Sequence, residues 1–191
     1  MSDNYIENTV FEKINSAENP LNKAEYENCR FVLCNFSHAN LSEFVFVDCD
    51  FVGCDFSLAD VTKTAFREAV FKDCNLLGVR FDDCNTFGLS FTFEKCRLNQ
   101  ASFFRLKIKN TKFRHCQLIE TDFAEADLIG SLFEDCDLSK AVFDYTNLEK
   151  ADFSTARYYS IDPETSNIHR AKFSATGIAG LLNKYNIEIT E

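Results

Sequence analysis

Residues 113–153 read FRHCQLIETDFAEADLIGSLFEDCDLSKAVFDYTNLEKADF, and every fifth position is Phe or Leu: Phe113, Leu118, Phe123, Leu128, Phe133, Leu138, Phe143, Leu148 and Phe153. Two places before each stands a small residue: Thr111, Cys116, Thr121, Ala126, Ser131, Cys136, Ala141, Thr146 and Ala151. Neither a 3.6-residue helix nor an alternating strand produces a period of five. A square coil does. Each five-residue unit forms one side, the large residue and the small one before it point inward, and the other three positions face solvent. Four units close a coil, so residues 20 apart stack at the strand spacing of about 4.8 Å.

The frame extends back through Ile108, Phe103 and Leu98 to Phe93 and forward to Tyr158. A second series runs Tyr26, Phe31, Phe36, Leu41, Phe46, Phe51, Phe56, Val61, Phe66, Phe71, Leu76 and Phe81. Between Phe81 and Phe93 the gap is 12 residues instead of 10, so the segment 82–92 carries a two-residue insertion. Insertions in a solenoid map to loops on one face, often the binding face. Asp82, Asp83, Asn85, Thr86 and Phe87 are therefore candidate contacts.

The predicted organisation is an all-β solenoid over 26–158, an N-terminal cap over 1–25 that brings Phe11 and Ile14, and a C-terminal element over 159–191. In that last element Ser174 offers an N-cap for an α-helix over about 175–185. Ile178, Leu181, Leu182 and Tyr185 then share a face, Asn186 suits a left-handed helix end, and Ile187 and Ile189 alternate as a short strand. Together these six apolar residues are a candidate C2 dimer interface.

Composition narrows the function. The chain has 191 residues, 21 of them Phe and none Trp, with a net charge of −10. Such acidity disfavours direct nucleic-acid binding, which needs Lys and Arg against phosphate. It suits a partner with a basic groove. Residues 94–116 hold one acid against Lys95, Arg97, Arg105, Lys107, Lys109, Lys112 and Arg114. Residues 117–153 reverse this, with Glu120, Asp122, Glu125, Asp127, Glu134, Asp135, Asp137, Asp144, Glu149 and Asp152 against Lys140 and Lys150. These ten acids are the candidate partner-binding surface.

All nine cysteines occupy the small inward position, in stacks that include Cys34/Cys54/Cys74 and Cys96/Cys116/Cys136. They read as buried free thiols acting as small hydrophobes. No CxxC pair or clustered His supplies a metal site. Phosphate-binding, zinc-protease and serine-hydrolase motifs are absent, so no enzyme, cofactor or metal is expected. The N-terminus lacks an apolar signal region, no run is long enough to span a membrane, and the expected location is cytoplasmic.

AEADL (124–128) and KADF (150–153) resemble the A-(D/N)-L-x-x pattern of the pentapeptide-repeat family, which implies a right-handed quadrilateral β-helix. CNLLGVRF (74–81), FEKCRLNQASFFRLKIKNTKFRHCQLIETDF (93–123) and IDPETSNIHRAKFS (161–174) are similar to its topoisomerase-protecting branch, the Qnr-type quinolone-resistance and the albicidin and microcin immunity proteins. That resemblance implies a rod-shaped homodimer whose acidic surface imitates DNA, engages DNA gyrase or topoisomerase IV and relieves an inhibitor. The insertion at 82–92 is shorter than the loops typical of Qnr proteins. The alternative is a structural, scaffolding β-helix that binds a different protein partner.

Overall fold

The computed structural model describes residues 4–188 and 190. It is the right-handed quadrilateral β-helix the frame requires, built almost wholly from parallel strands. On side one, β1 (Tyr5–Glu7), β3 (Glu25–Glu27), β5 (Val45–Val47) and β7 (Ala65–Arg67) form a four-stranded sheet. Side two carries nine strands: β2 (Val10–Glu12), β4 (Arg30–Val32), β6 (Asp50–Val52), β8 (Ala69–Lys72), β9 (Phe91–Glu94), β10 (Lys112–Arg114), β11 (Leu132–Glu134), β12 (Asp152–Phe153) and β13 (Lys172–Phe173). Sides three and four are held by single parallel bridges such as Gln117↔Asp137 and Ser102↔Asp122.

The ladder exceeds the expected boundaries of 26–158. Tyr5 pairs with Glu25 and Phe11 with Phe31, so 5–15 already coil instead of forming a separate cap. At the other end Phe153 pairs with Phe173.

Each side turns into the next through a left-handed residue two places after the central one. Lys95, Gln100, Arg105, Asn110, His115, Glu120 and Glu125 all have φ between 53° and 60°. A non-glycine residue costs roughly 1–2 kcal/mol there. The coil above offsets this, since Lys95 N–H donates to Arg114 O at 2.8 Å and His115 N–H to Glu134 O at 2.8 Å. Gly130 takes its corner at φ 68° without the Cβ that would otherwise push the Asn110 side chain aside.

The frame ends earlier than Tyr158. Thr155 is β-branched, which disfavours the left-handed corner, and it does not adopt one. Tyr158 takes the positive φ of 62° instead and turns outward, 70% exposed, while Tyr159 fills the core.

Inside, Phe columns climb two opposite sides from Phe93 onward, and in the earlier coils side one is aromatic too, with Tyr26, Phe46 and Phe66 stacked at 5.5 Å. Phe93, Phe113, Phe133, Phe153 and Phe173 stack with centroids 4.5–5.4 Å apart. Phe103, Phe123 and Phe143 stack at 5.2 Å. The columns meet edge to face, as in Phe113–Phe123 at 5.7 Å and 79°, the arrangement that ring quadrupoles favour.

The insertion also joins the two cysteine stacks. Asn75 pairs with Arg97 across a 22-residue coil, so Cys34, Cys54, Cys74, Cys96, Cys116 and Cys136 form one buried column of free thiols. Cys54 and Cys96 donate to the carbonyls of Phe31 and Phe71 at 3.4 and 3.3 Å. Burial disfavours thiolate, and pushes Cys49 in the neighbouring column up to about 12. Cys54 and Cys116 are therefore expected to react with thiol reagents slowly in native protein and rapidly in urea. Fast labelling without denaturant would place the small positions outside the core.

The C-terminal element departs from the expected α-helix. It forms two 3₁₀ turns, Ile178–Leu181 and Asn183–Tyr185, ending at left-handed Asn186. Ser174 Oγ accepts from Gly177 N–H at 2.9 Å, just ahead of the first turn. Gly177 and Gly180 weaken helix formation and let the turn lie directly on Tyr159. A Cβ at Gly180 would sit 2.3 Å from the Tyr159 carbonyl oxygen.

Candidate functional site

The outward positions carry the surface chemistry, and the 20-residue register decides which charges meet. The ten acids of 117–153 are divided among all four sides. Asp127 and Glu149 lie on side one, Glu134, Asp135 and Asp152 on side two, Glu120 and Asp137 on side three, and Asp122, Glu125 and Asp144 on side four. They form a belt, not a single face.

Most of that belt is neutralised by nearby cations, the majority of them one coil away. Arg105 pairs with Glu125 at 2.7 Å, Lys109 with Asp127 at 3.2 Å and Arg114 with Glu134 at 3.0 Å. Lys140 reaches Glu120 at 3.0 Å, Lys150 reaches Glu149 at 2.8 Å and Lys172 reaches Asp152 at 3.0 Å. His115 Nδ1 stands 3.5 Å from Asp135. Hydrogen bonding to Arg105 holds the Glu125 carboxyl below its ordinary range. Exposed pairs of this kind contribute about 0–1 kcal/mol each, but they cancel charge. Only Asp122, Asp137 and Asp144 have no cationic or His partner among the described residues. Lys95, Arg97, Lys107 and Lys112 are likewise unpaired, so the free charge of 94–153 is close to balance.

Free negative charge is concentrated in the first four coils instead. Glu7, Glu12, Glu18, Glu25, Glu27, Asp48, Asp50, Asp55, Asp60, Glu68 and Asp73 have no ion-pair partner among the described residues. Against these eleven stand four unpaired cations, Lys13, Arg30, Lys63 and Arg67. Elsewhere in these coils Lys23 pairs with Glu43, Lys72 with Glu94, and Arg80 with Asp82 and Asp83. The excess of seven lies over four coils, roughly 19 Å of rod at the strand spacing. Counted over all four sides this is about one charge per 2.7 Å, below the one per about 1.7 Å of duplex DNA. Side one carries five of the eleven acids, Glu7, Glu25, Glu27, Asp48 and Glu68. Residues 1–93 hold 15 acids against 7 bases, an excess visible in the linear order. Which of these acids lack a partner is not, because Arg30 stands in register with Asp50 without pairing with it.

The insertion replaces side one of the fifth coil. Asp83, Asn85, Thr86 and Phe87 are exposed, with Phe87 76% so. Asp82 is not available as a contact, because its side chain is only 8% exposed and bound to Arg80 at 2.6 Å. At the C-terminal end Ile178, Tyr185 and Ile187 are exposed, whereas Leu181 packs against the core and Leu182 is half-buried. Ile189 lies outside the described residues. Among the described residues no cluster of His, Cys, Asp and Glu is arranged to hold a metal, and no helix is long and apolar enough to cross a membrane.

The family model for the pentapeptide repeat region matches residues 46–118 and 106–181. Among solved structures, trypsin-treated QnrB1, a plasmid-mediated fluoroquinolone resistance protein, is similar with a TM-score of 0.71 at 17% identity. That match covers 98% of this chain and 92% of QnrB1. HetL, a pentapeptide repeat protein involved in heterocyst differentiation regulation in the cyanobacterium Nostoc, matches with a TM-score of 0.37 and 17% identity, over 90% of this chain and 88% of HetL. No curated protein sequence matches the chain.

Proposed function

This chain belongs to the pentapeptide-repeat family, and from that premise we propose that it is a DNA-mimicking protein that binds DNA gyrase or topoisomerase IV and protects it from a poison. The observation that carries this reading is the set of eleven unpaired carboxylates over the first four coils. A rigid rod holds them at regular spacing without ordering cost at binding, and a groove built for phosphate would meet them as it meets DNA. The protein acts by this surface, without catalysis or cofactor, in the cytoplasm where its target works. Ile178, Tyr185 and Ile187 form the exposed part of a two-fold interface that doubles the rod's length. The fold it shares with a fluoroquinolone resistance protein makes a quinolone the first poison to test.

The scaffold reading draws on a different observation. The inter-coil pairs of 94–153 satisfy one another, so charge there serves the rod's own cohesion.

A supercoiling assay with gyrase, with and without a fluoroquinolone, tests the proposal. The parent protein should restore supercoiling in the presence of the drug. Its effect should weaken as salt rises through the physiological range, where screening shortens to about 8 Å. Glu25→Lys, Glu27→Lys, Asp48→Lys and Asp50→Lys combined should remove the effect, while Asp122→Lys with Asp144→Lys should retain most of it. No effect of the parent on either enzyme would leave the scaffold reading.

A further inference from the structure

Around the insertion the ladder is incomplete, and one of the backbone donors it leaves without an acceptor is on side one. On sides three and four of the fifth coil, Arg97 N–H donates to Cys74 O at 2.9 Å and Ser102 N–H to Val79 O at 3.0 Å. One coil later on side one, Asp127 N–H donates to Leu106 O at 2.8 Å. Lys107 holds the equivalent position directly above the loop, and its N–H has no hydrogen-bond partner among the described residues. A cleft of about 300 Å³ opens there, lined by Thr86, Leu89, Arg105 and Lys107.

The charges around the cleft share one sign of opportunity. Lys107 has no ion-pair partner among the described residues. Arg105 is held in place by two bonds to Glu125, of 2.7 and 3.0 Å, and by stacking 4.6 Å from the Phe104 ring. Below the loop, Arg67 also lacks an ion pair among the described residues, lies 5.6 Å over the Phe87 ring and donates from Nε to the Phe87 carbonyl oxygen at 3.5 Å. Asp127 is engaged by Lys109 and Glu125 by Arg105, whereas Glu68 keeps its charge and accepts a hydrogen bond from the Ser90 hydroxyl at 3.1 Å. Two free cations, an orphan N–H and an exposed aromatic ring thus share side one, about two coil spacings from end to end, or about 10 Å.

We propose that this cleft is a carboxylate-binding site that docks an acidic, aromatic-containing segment of a protein partner. Its carboxylates take the Lys107 N–H and ammonium and the Arg67 guanidinium, and its apolar side chain covers Phe87 and Leu89. Charge-assisted bonds of this kind are the strong ones. A nucleic-acid strand fits less well. Its phosphates continue past the short basic stretch into the unpaired carboxylates Glu25, Glu27 and Asp48 on the same side. The site borders the acidic surface, with which it shares side one, and does not depend on a topoisomerase.

The test is amide NMR on the full chain, titrated with acetyl-Asp-Phe-Glu-Glu, with decathymidylate and with inorganic phosphate. The peptide should shift the Lys107 amide and neighbours in the 84–90 loop, and bind about tenfold more weakly to Arg67→Gln with Lys107→Gln. Unchanged resonances in the coils beyond residue 130 report that the variant is folded. A Lys107 amide that the peptide leaves unmoved would overturn the proposal, as would equal affinity for the variant. Tighter binding of decathymidylate would also overturn it in favour of nucleic acid, and an equal response to phosphate would reduce it to a simple anion site.

Discussion

Phe123→Ala lowers the unfolding free energy by about 3–5 kcal/mol, read as a shifted urea midpoint. Phe123 is fully buried, stacked between Phe103 and Phe143 at 5.2 Å and edge-on to Phe113 and Phe133 at 5.7 and 5.8 Å. Truncation removes the ring from four partners at once. The coil has little room to collapse, because the ladder holds the sides above and below it at strand spacing. A solenoid's stability is a sum of repeat and neighbour terms, so the damage should also uncouple the coils on either side and broaden the transition. Glu125→Ala on the adjacent corner is the control, which loses only the exposed pair with Arg105, about 0–1 kcal/mol. An unchanged midpoint for Phe123→Ala would refute the frame.

Gly180→Ala destabilises the C-terminal end by about 1–3 kcal/mol, the usual cost of overpacking. The added methyl would stand 2.3 Å from the Tyr159 carbonyl oxygen and 2.9 Å from its ring. Backbone has to move, and the movement threatens the bond from Ile161 N–H to Gly180 O at 3.0 Å. Leu181, which packs on the core, lifts with it. The expected readout is faster amide exchange at Ile161 and an earlier thermal transition, with the coils before 150 protected as before. Because alanine is the better helix former, the opposite outcome, a more stable end, would mean that helix propensity outweighs this contact.

The core was legible because it depends on one local rule. Phe113, Leu118 and Phe123 recur every five residues, and a coil that satisfies one satisfies all. The rule failed where a single residue changed the corner. Thr155 refuses the left-handed turn, so Tyr158 leaves the core and Tyr159 enters it, and no period reveals that exchange. The C-terminal helix misled for a related reason. Ile178, Leu181, Leu182 and Tyr185 carry a helical spacing, but Gly177 and Gly180 answer to Tyr159, which is near only in space.

Charge shows the division most clearly. By itself the sequence determined the repeat, the buried thiols, the position of the insertion and the acidity of 117–153. All of these follow from neighbours along the chain. Only the tertiary structure decided that Glu125 meets Arg105, Glu134 meets Arg114, and Glu25, Glu27 and Asp48 meet no cation. Stacking brings residues 20 or more apart to within a few ångströms, where opposite charges cancel. A surface field is therefore set by rows across coils, which the linear order of residues does not display.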